Sequence, residues 1–159
     1  MSDDARETPD NPGVIAPPPL IYAGALAIGL LAHRLYPLPF LPRGLSRVLG
    51  WPLIVGGLVI GTLGFREMQR AGTNVDPREP TTAIVTRGPY QFTRNPLYLS
   101  MTLIYAGITA LANTLPAALL LPAVLAVMRR GVIEREERYL ERKFGDEYLD
   151  FKARVRRWI

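Results

Sequence analysis

The chain has 159 residues, a length for one domain, and its 48% hydrophobic and 21% charged residues are ordinary for a soluble protein. It contains no cysteine and a single histidine, which excludes disulfides, thiolate zinc sites and a cysteine nucleophile. A net charge of +5 would suit nucleic acid as a partner, but the distribution of the charge points elsewhere.

Residues 1–19 are polar and proline-rich, end in Pro17-Pro18-Pro19, and read as a flexible leader. Asp3, Asp4, Glu7 and Asp10 make it acidic, unlike the basic start of a secretory signal, so the apolar segment that follows is expected to be retained. No charged residue occurs from Asn11 to Ala32, from Val48 to Phe65, or from Asn95 to Met128. A hydrocarbon core of about 30 Å takes roughly 20 apolar helical residues, so the first two stretches supply one span each. The third would make a helix of about 51 Å, too long for one crossing. Its Asn113-Thr114-Leu115-Pro116 cluster has turn chemistry and divides it into two short spans. Leu20 to Ala32 is apolar on every face, whereas a helix on the surface of a soluble protein keeps one polar side. The expected fold is therefore all-α: an integral membrane helical bundle with about four transmembrane helices, near 20–35, 48–65, 96–112 and 115–129, in one membrane domain over residues 20–159.

With four alternating spans, the leader, the 66–95 loop and the chain beyond Met128 share one side of the bilayer. That side holds 16 of the 19 Lys and Arg residues, leaving Arg34, Arg43 and Arg47 opposite. Positive charge collects in the cytoplasm, so both termini and this loop are expected there. This accounts for the basic character without nucleic acid and lets the tail lie against anionic headgroups.

His33 stands at a span end and reads as an interfacial residue. Pro37, Pro39, Pro42 and Gly44 make the first loop irregular. Gly57-Leu58-Val59-Ile60-Gly61 has the small-xxx-small spacing that lets helix backbones approach closely. The 66–95 loop, with Pro77, Pro80, Gly88 and Pro89, is longer than a connector requires, a mark of function. It ends at Arg94-Asn95-Pro96, where Asn95 suits an N-cap and Pro96 the first helical position. Beyond Met128 the pattern predicts a charged helix from Gly131 to Phe144, broken at Gly145. A second short helix follows, with Tyr148, Phe151, Val155 and Trp158 on one stripe and Lys152, Arg154 and Arg157 elsewhere. These C-terminal amphipathic helices, over 131–158, have the pattern of helices lying in the cytoplasmic interface.

Two groups of residues can carry chemistry. On the 131–144 helix, Ile133, Leu140 and Phe144 share a stripe that Glu136 and Glu137 flank, while Arg135, Arg138 and Arg142 face the other way. A carboxylate on a buried face requires a cation, hydroxyl or amide to meet it. Taken alone, the pair reads as well as ordinary solvated charges in i,i+4 pairs such as Glu134–Arg138. Arg94 beside the start of the third span offers a cation next to free backbone N–H groups, a site for a carboxylate, or equally a positive-inside anchor. Together they suit a ligand with carboxylate, hydroxyls and a cation, the profile of S-adenosylmethionine. No Gly-x-Gly and no phosphate loop occur, so the fingerprint of a Rossmann dinucleotide site or a soluble methyltransferase is absent.

Ala71-Gly72-Thr73-Asn74-Val75, Ile84-Val85-Thr86-Arg87-Gly88-Pro89-Tyr90 and Arg94-Asn95-Pro96-Leu97-Tyr98 resemble motifs of the isoprenylcysteine carboxyl methyltransferase family. Glu136-Glu137, Leu140, Phe144-Gly145, Tyr148-Leu149, Phe151-Lys152 and Arg154-Val155 continue the likeness in order, over about residues 48–157. The broader group includes phospholipid N-methyltransferases. The resemblance implies a helical membrane enzyme that binds S-adenosylmethionine on its cytosolic side and takes a lipophilic acceptor from the bilayer. It implies cofactor contacts at Thr82, Ala83, Ile84, Val85, Tyr90, Asn95, Pro96, Leu97, Tyr98 and Glu136, with Arg94 and Glu137 as catalytic residues, and no metal. Three positions depart from the family pattern. Asn95 replaces a histidine, Ser100 replaces a glycine, and Val132 stands where prenylcysteine enzymes carry a substrate-binding arginine, a role left to Arg129 or Arg130. A carboxylate or an amine acceptor both remain open, as do an NADPH-dependent membrane reductase of the sterol-reductase type and a non-catalytic scaffold.

Overall fold

The computed structural model describes residues 10–159, and the acidic positions Asp3, Asp4 and Glu7 lie outside them. Six α-helices follow one another, with no strand among the described residues: α1 Pro18–Leu35, α2 Arg43–Arg70, α3 Pro96–Ala112, α4 Leu115–Met128, α5 Glu134–Phe144 and α6 Asp146–Arg154. A π-helical turn, Arg129–Ile133, joins α4 to α5, so that Leu115–Phe144 runs as one helix of 30 residues. The charged helix expected from Gly131 is thus a continuation of the fourth apolar helix. That helix, α1 and α2 are each long and apolar enough to cross a membrane, and α3 is a shorter apolar helix of 17 residues. This is a helical membrane bundle.

The helices pack as two pairs, α2 with α3 and α1 with α4. Small residues decide the first pair. A Cβ on Gly57 would stand 2.8 Å from Ile104 Cγ1, and one on Gly107 would stand 2.8 Å from the Gly50 carbonyl oxygen. Gly61 lies against the Ser100 hydroxyl, which donates to the Gly57 carbonyl at 2.7 Å. Both glycines of the small-xxx-small motif therefore serve backbone approach, which strengthens dispersion contacts where water offers no hydrophobic drive. Ser100, the serine in a glycine's place, is absorbed by this seam. In the second pair Gly29 meets the backbone of Ala117, where a Cβ would stand 2.5 Å from its Cα. Tyr22 ties the two pairs: its hydroxyl meets that of Thr102 at 2.8 Å and its ring stands edge-on to Tyr105.

The turn between α3 and α4 lies where Asn113 and Thr114 place it. Asn113 closes α3 in the left-handed conformation, φ 50°, which asparagine tolerates better than most residues. Its side chain accepts from the amides of Phe40 and Leu41 and donates to the Leu41 carbonyl, fastening the proline-rich first loop.

Several details differ from the sequence reading: α2 runs Arg43–Arg70, past both ends of the expected 48–65 span, so the loop begins after Arg70 rather than at 66. Helix α1 begins at Pro18, and the leader is docked from Asp10 onward rather than free. Asp10 meets Lys143 at 2.7 Å, Gly13 accepts from Arg135, and the Ile15 side chain fills the notch left by Gly131. Asn95 does stand at the N-cap, but its side chain does not cap α3; its Nδ2 donates to the Arg157 carbonyl at 2.9 Å. Finally, α6 ends at Arg154, so Val155 and Trp158 lie beyond it. The single amphipathic stripe expected over Tyr148 to Trp158 is replaced by a helix and a return segment, whose Trp158 packs against the core around Tyr98 and Ile133.

Candidate functional site

A cavity of about 90 Å³ opens where the 71–95 loop crosses the start of α3 and the start of α5. Each wall has a local cause. Gly72, at φ 67°, and Gly88, at φ 59°, supply turns that other residues resist. Between them the loop fastens to itself: Thr82 donates from its amide to the Thr73 hydroxyl at 3.1 Å and from its hydroxyl to the Gly72 carbonyl at 2.9 Å. Asn74 bonds the Pro80 carbonyl, and the Thr81 amide reaches the Tyr139 hydroxyl on α5. A 3₁₀ turn, Gly88–Gln91, then drives Tyr90 inward, where it packs with Tyr148 and Phe151 of α6.

Of the expected cofactor contacts, Ala83, Ile84, Val85, Tyr90, Asn95, Pro96, Leu97, Tyr98 and Glu136 line this cavity, as do Arg94 and Glu137. Thr82 does not; its side chain is spent on the loop staple. Residues the sequence reading passed over also stand on the wall, among them Met68, Asn74, Ile133 and Tyr148. Tyr148 and Phe151 were visible as an apolar pair on a short helix, but nothing local marked the face they would cover.

The electrostatics centre on the two glutamates. The apolar part of the long helix ends at Met128, so both lie outside the span. Glu136 is half-buried and accepts from the Tyr98 hydroxyl at 2.9 Å. Burial pushes its carboxyl up to about 7; the Tyr98 bond opposes the shift and the neighbouring Glu137 charge adds to it. Burial also raises Tyr90, and it raises Tyr148 to about 12, so both hydroxyls stay protonated donors at neutral pH.

Glu137 is met differently. Arg157 approaches it as a fork, Nε to Oε1 at 3.0 Å and Nη2 to Oε2 at 2.7 Å. Arg94 Nη1 stands 3.2 Å from Oε1, with only 9% of either side chain exposed. Two guanidiniums thus share one carboxylate, which leaves the cluster one positive charge in surplus. Arg94 Nη1 also reaches the Tyr148 hydroxyl at 3.4 Å, while its Nε is buried without a partner. A buried orphan donor on a cavity wall is costly unless a ligand atom meets it.

The ordinary i,i+4 pairing considered for this helix does not form at Glu134, which pairs with Arg129 at 2.9 Å instead. That pairing also draws Arg129, with a side chain 61% exposed, away from the cavity. Arg130 is exposed and Val132 is fully buried in the core. Neither Arg129 nor Arg130 therefore takes the place of the arginine absent at Val132. A second cation reaches Glu137 from Arg157, which stands in none of the motifs that carry the likeness.

Comparison with known proteins agrees with this geometry. The phospholipid methyltransferase family profile matches residues 45–147, which takes in α2, the cavity loop, α3, α4 and α5. A protein of Haemophilus influenzae described as uncharacterized is 43% identical over 63 residues, 40% of this chain and the whole of that one. The nickel-cobalt-cadmium resistance protein NccN of Alcaligenes xylosoxydans xylosoxydans is 34% identical over 75 residues, 47% of this chain and 35% of that protein. The chain thus spans about a third of the length of NccN. A helical membrane bundle, a cavity at its polar end and this profile agree: the chain belongs to the phospholipid methyltransferase family.

Proposed function

We propose that this membrane methyltransferase uses S-adenosylmethionine as donor and methylates the polar head of a lipophilic acceptor, with residues 20–159 as the methyltransferase domain. The observation that carries the reading is the cavity's pairing of a buried, unpartnered Arg94 Nε with the half-buried carboxyl of Glu136, which the Tyr98 hydroxyl meets. An aminocarboxylate fits the first and the start of α3, where backbone N–H groups and the helix dipole favour an anion. Hydroxyls or a cationic centre fit the second. The donor supplies a methyl group on sulfonium, whose S–C bond breaks as the bond to the acceptor forms.

The protein's own part is positioning and electrostatics. Arg94 holds the aminocarboxylate end, and Glu137 fixes Arg94. Glu136, with the Tyr98 hydroxyl, holds a polar group of the donor. Ala83, Ile84, Val85 and Leu97 give an apolar wall beside the stapled loop. Asn95, spent on the Arg157 carbonyl, has no proton to exchange near neutral pH.

The acceptor is an amphiphile whose head reaches the cavity and whose tail lies between the helices. With Val132 buried and apolar, the cavity lacks the extra cation a prenylcysteine carboxylate would want, so an amine headgroup is favoured. An amine attacks as the neutral base, and carboxylates nearby suit the cation it becomes. The purified protein is expected to transfer label from S-adenosylmethionine to a membrane lipid extract, in a form stable to base. Base-labile label on a farnesylcysteine analogue would show a methyl ester and overturn the amine. Label only in water-soluble acceptors would overturn the membrane substrate.

The orientation follows from the arginines. Reporter fusions after Trp158 and within Pro37–Arg43 are expected to report opposite sides, the former cytoplasmic. The same side for both would contradict four spans.

A further inference from the structure

We propose that Arg157 is a positioning residue of the donor site: it clamps Glu137 so that Arg94 keeps its free edge turned to the aminocarboxylate. The inference rests on the donor reading above and deepens it. Arg157 does not itself line the cavity, and it lies 63 positions from Arg94.

The observation is a clasp made by the short segment after α6. Its main chain grips the residues that lead into α3: the Arg94 amide donates to the Arg156 carbonyl at 3.0 Å, and the Thr93 hydroxyl and Asn95 Nδ2 donate to the Arg157 carbonyl at 3.1 and 2.9 Å. Its Trp158 is half-buried against the hydrophobic core. Its Arg157 side chain then crosses to α5 and takes both oxygens of Glu137. One segment therefore fixes the backbone that carries Arg94 and the carboxylate that Arg94 leans on.

Charge explains why the second arginine is needed. Glu137 with Arg94 alone would be a closed pair, with the Arg94 charge spent inside it. Arg157 saturates the carboxylate with a better, bidentate geometry, and burial of the Glu137–Arg157 contact at 9% and 27% side-chain exposure keeps it from being screened away. Arg94 stays within reach of Glu137 but carries the surplus positive charge on the cavity wall. Loss of Arg157 returns Arg94 to Glu137 and takes that charge from the ligand.

The test compares two probes, S-adenosylhomocysteine and 5′-methylthioadenosine, which share the adenosyl thioether and differ in the aminocarboxylate. Binding to the full chain in detergent is measured by calorimetry for wild type, Arg157→Ala and Arg157→Lys. The expected result is about tenfold weaker S-adenosylhomocysteine binding in Arg157→Ala, with 5′-methylthioadenosine unchanged, and partial recovery in Arg157→Lys, which restores charge without the fork. Equal loss of both probes would show a general structural role and overturn the proposal, as would no loss of either. Should Arg157→Ala fail to fold, Arg157→Lys decides alone, by the presence or absence of a loss confined to S-adenosylhomocysteine. A wild-type protein that binds neither probe overturns the donor reading itself, and is told apart from the other failures by the wild-type titration.

Discussion

Replacing Glu137 with glutamine is expected to lower methyl transfer by about two to three orders of magnitude. The carboxylate is buried, accepts from Arg157 at both oxygens and stands 3.2 Å from Arg94 Nη1 at one. Glutamine keeps the shape but offers one acceptor and no charge to two guanidiniums. Removing one partner of a buried ion pair costs roughly 3–5 kcal/mol, because the remaining charge is left without compensation. At about 1.4 kcal/mol per decade, that cost corresponds to ~100-fold or more wherever the lost geometry is needed in the transition state. The check is the initial rate with labelled S-adenosylmethionine and membrane lipid, alongside thermal unfolding in detergent. Glu134→Gln is expected to change the rate far less: its partner Arg129 is largely exposed and Arg157 stands only at 3.9 Å, and partly exposed pairs contribute little. Equal rates for Glu137→Gln and wild type would remove Glu137 from the site.

The second large effect belongs to Glu136 and is read through pH. Burial holds this carboxyl up to about 7, so the neutral acid dominates below that value and the carboxylate above it. A donor bearing hydroxyls and a sulfonium prefers the carboxylate. Affinity is therefore expected to rise by up to about tenfold per pH unit as pH climbs toward 7, and to level off beyond it. Glu136→Gln cannot ionise, so its profile is expected to lack this step. Above pH 7 it should bind more weakly than wild type by roughly 1.5–3 kcal/mol, the usual scale for a charged hydrogen bond in a dry site. Calorimetric titrations of S-adenosylmethionine between pH 5.5 and 8.5 give both readings. A Glu136→Gln variant that retains the wild-type step and affinity would place the donor elsewhere.

The positions of the helices were legible because their causes are local. The charge-free runs that end at Ala32, Phe65 and Met128 predict the apolar helices, and Asn113 with Thr114 predicts the reversal between α3 and α4. Gly57 and Gly61 announced a close helix seam, though not that α3 would fill it. Most of the candidate wall was legible through the motifs that surround Tyr90, Asn95 and Tyr98. Thr82 shows the limit of such transfer. A residue inside a motif can spend its side chain on the loop rather than on the cavity.

What the amino-acid sequence determined by itself was the bundle and its polar end, because a helix that is apolar all round has few stable environments other than a bilayer. What only the tertiary structure decided was which charges meet. Glu137 takes Arg157, 20 positions away, although Arg135, Arg138 and Arg142 stand on its own helix, and Asp10, ahead of α1, takes Lys143, 133 positions away. Periodicity states which face a residue occupies, whereas an ion pair between segments depends on the path of the chain between them. Here that path turns at Gly145, whose positive φ of 54° ends one helix and sends the next back across the cavity. The return segment brings Arg157 to Glu137, and a long-range pair of this kind has no periodic signature in the sequence.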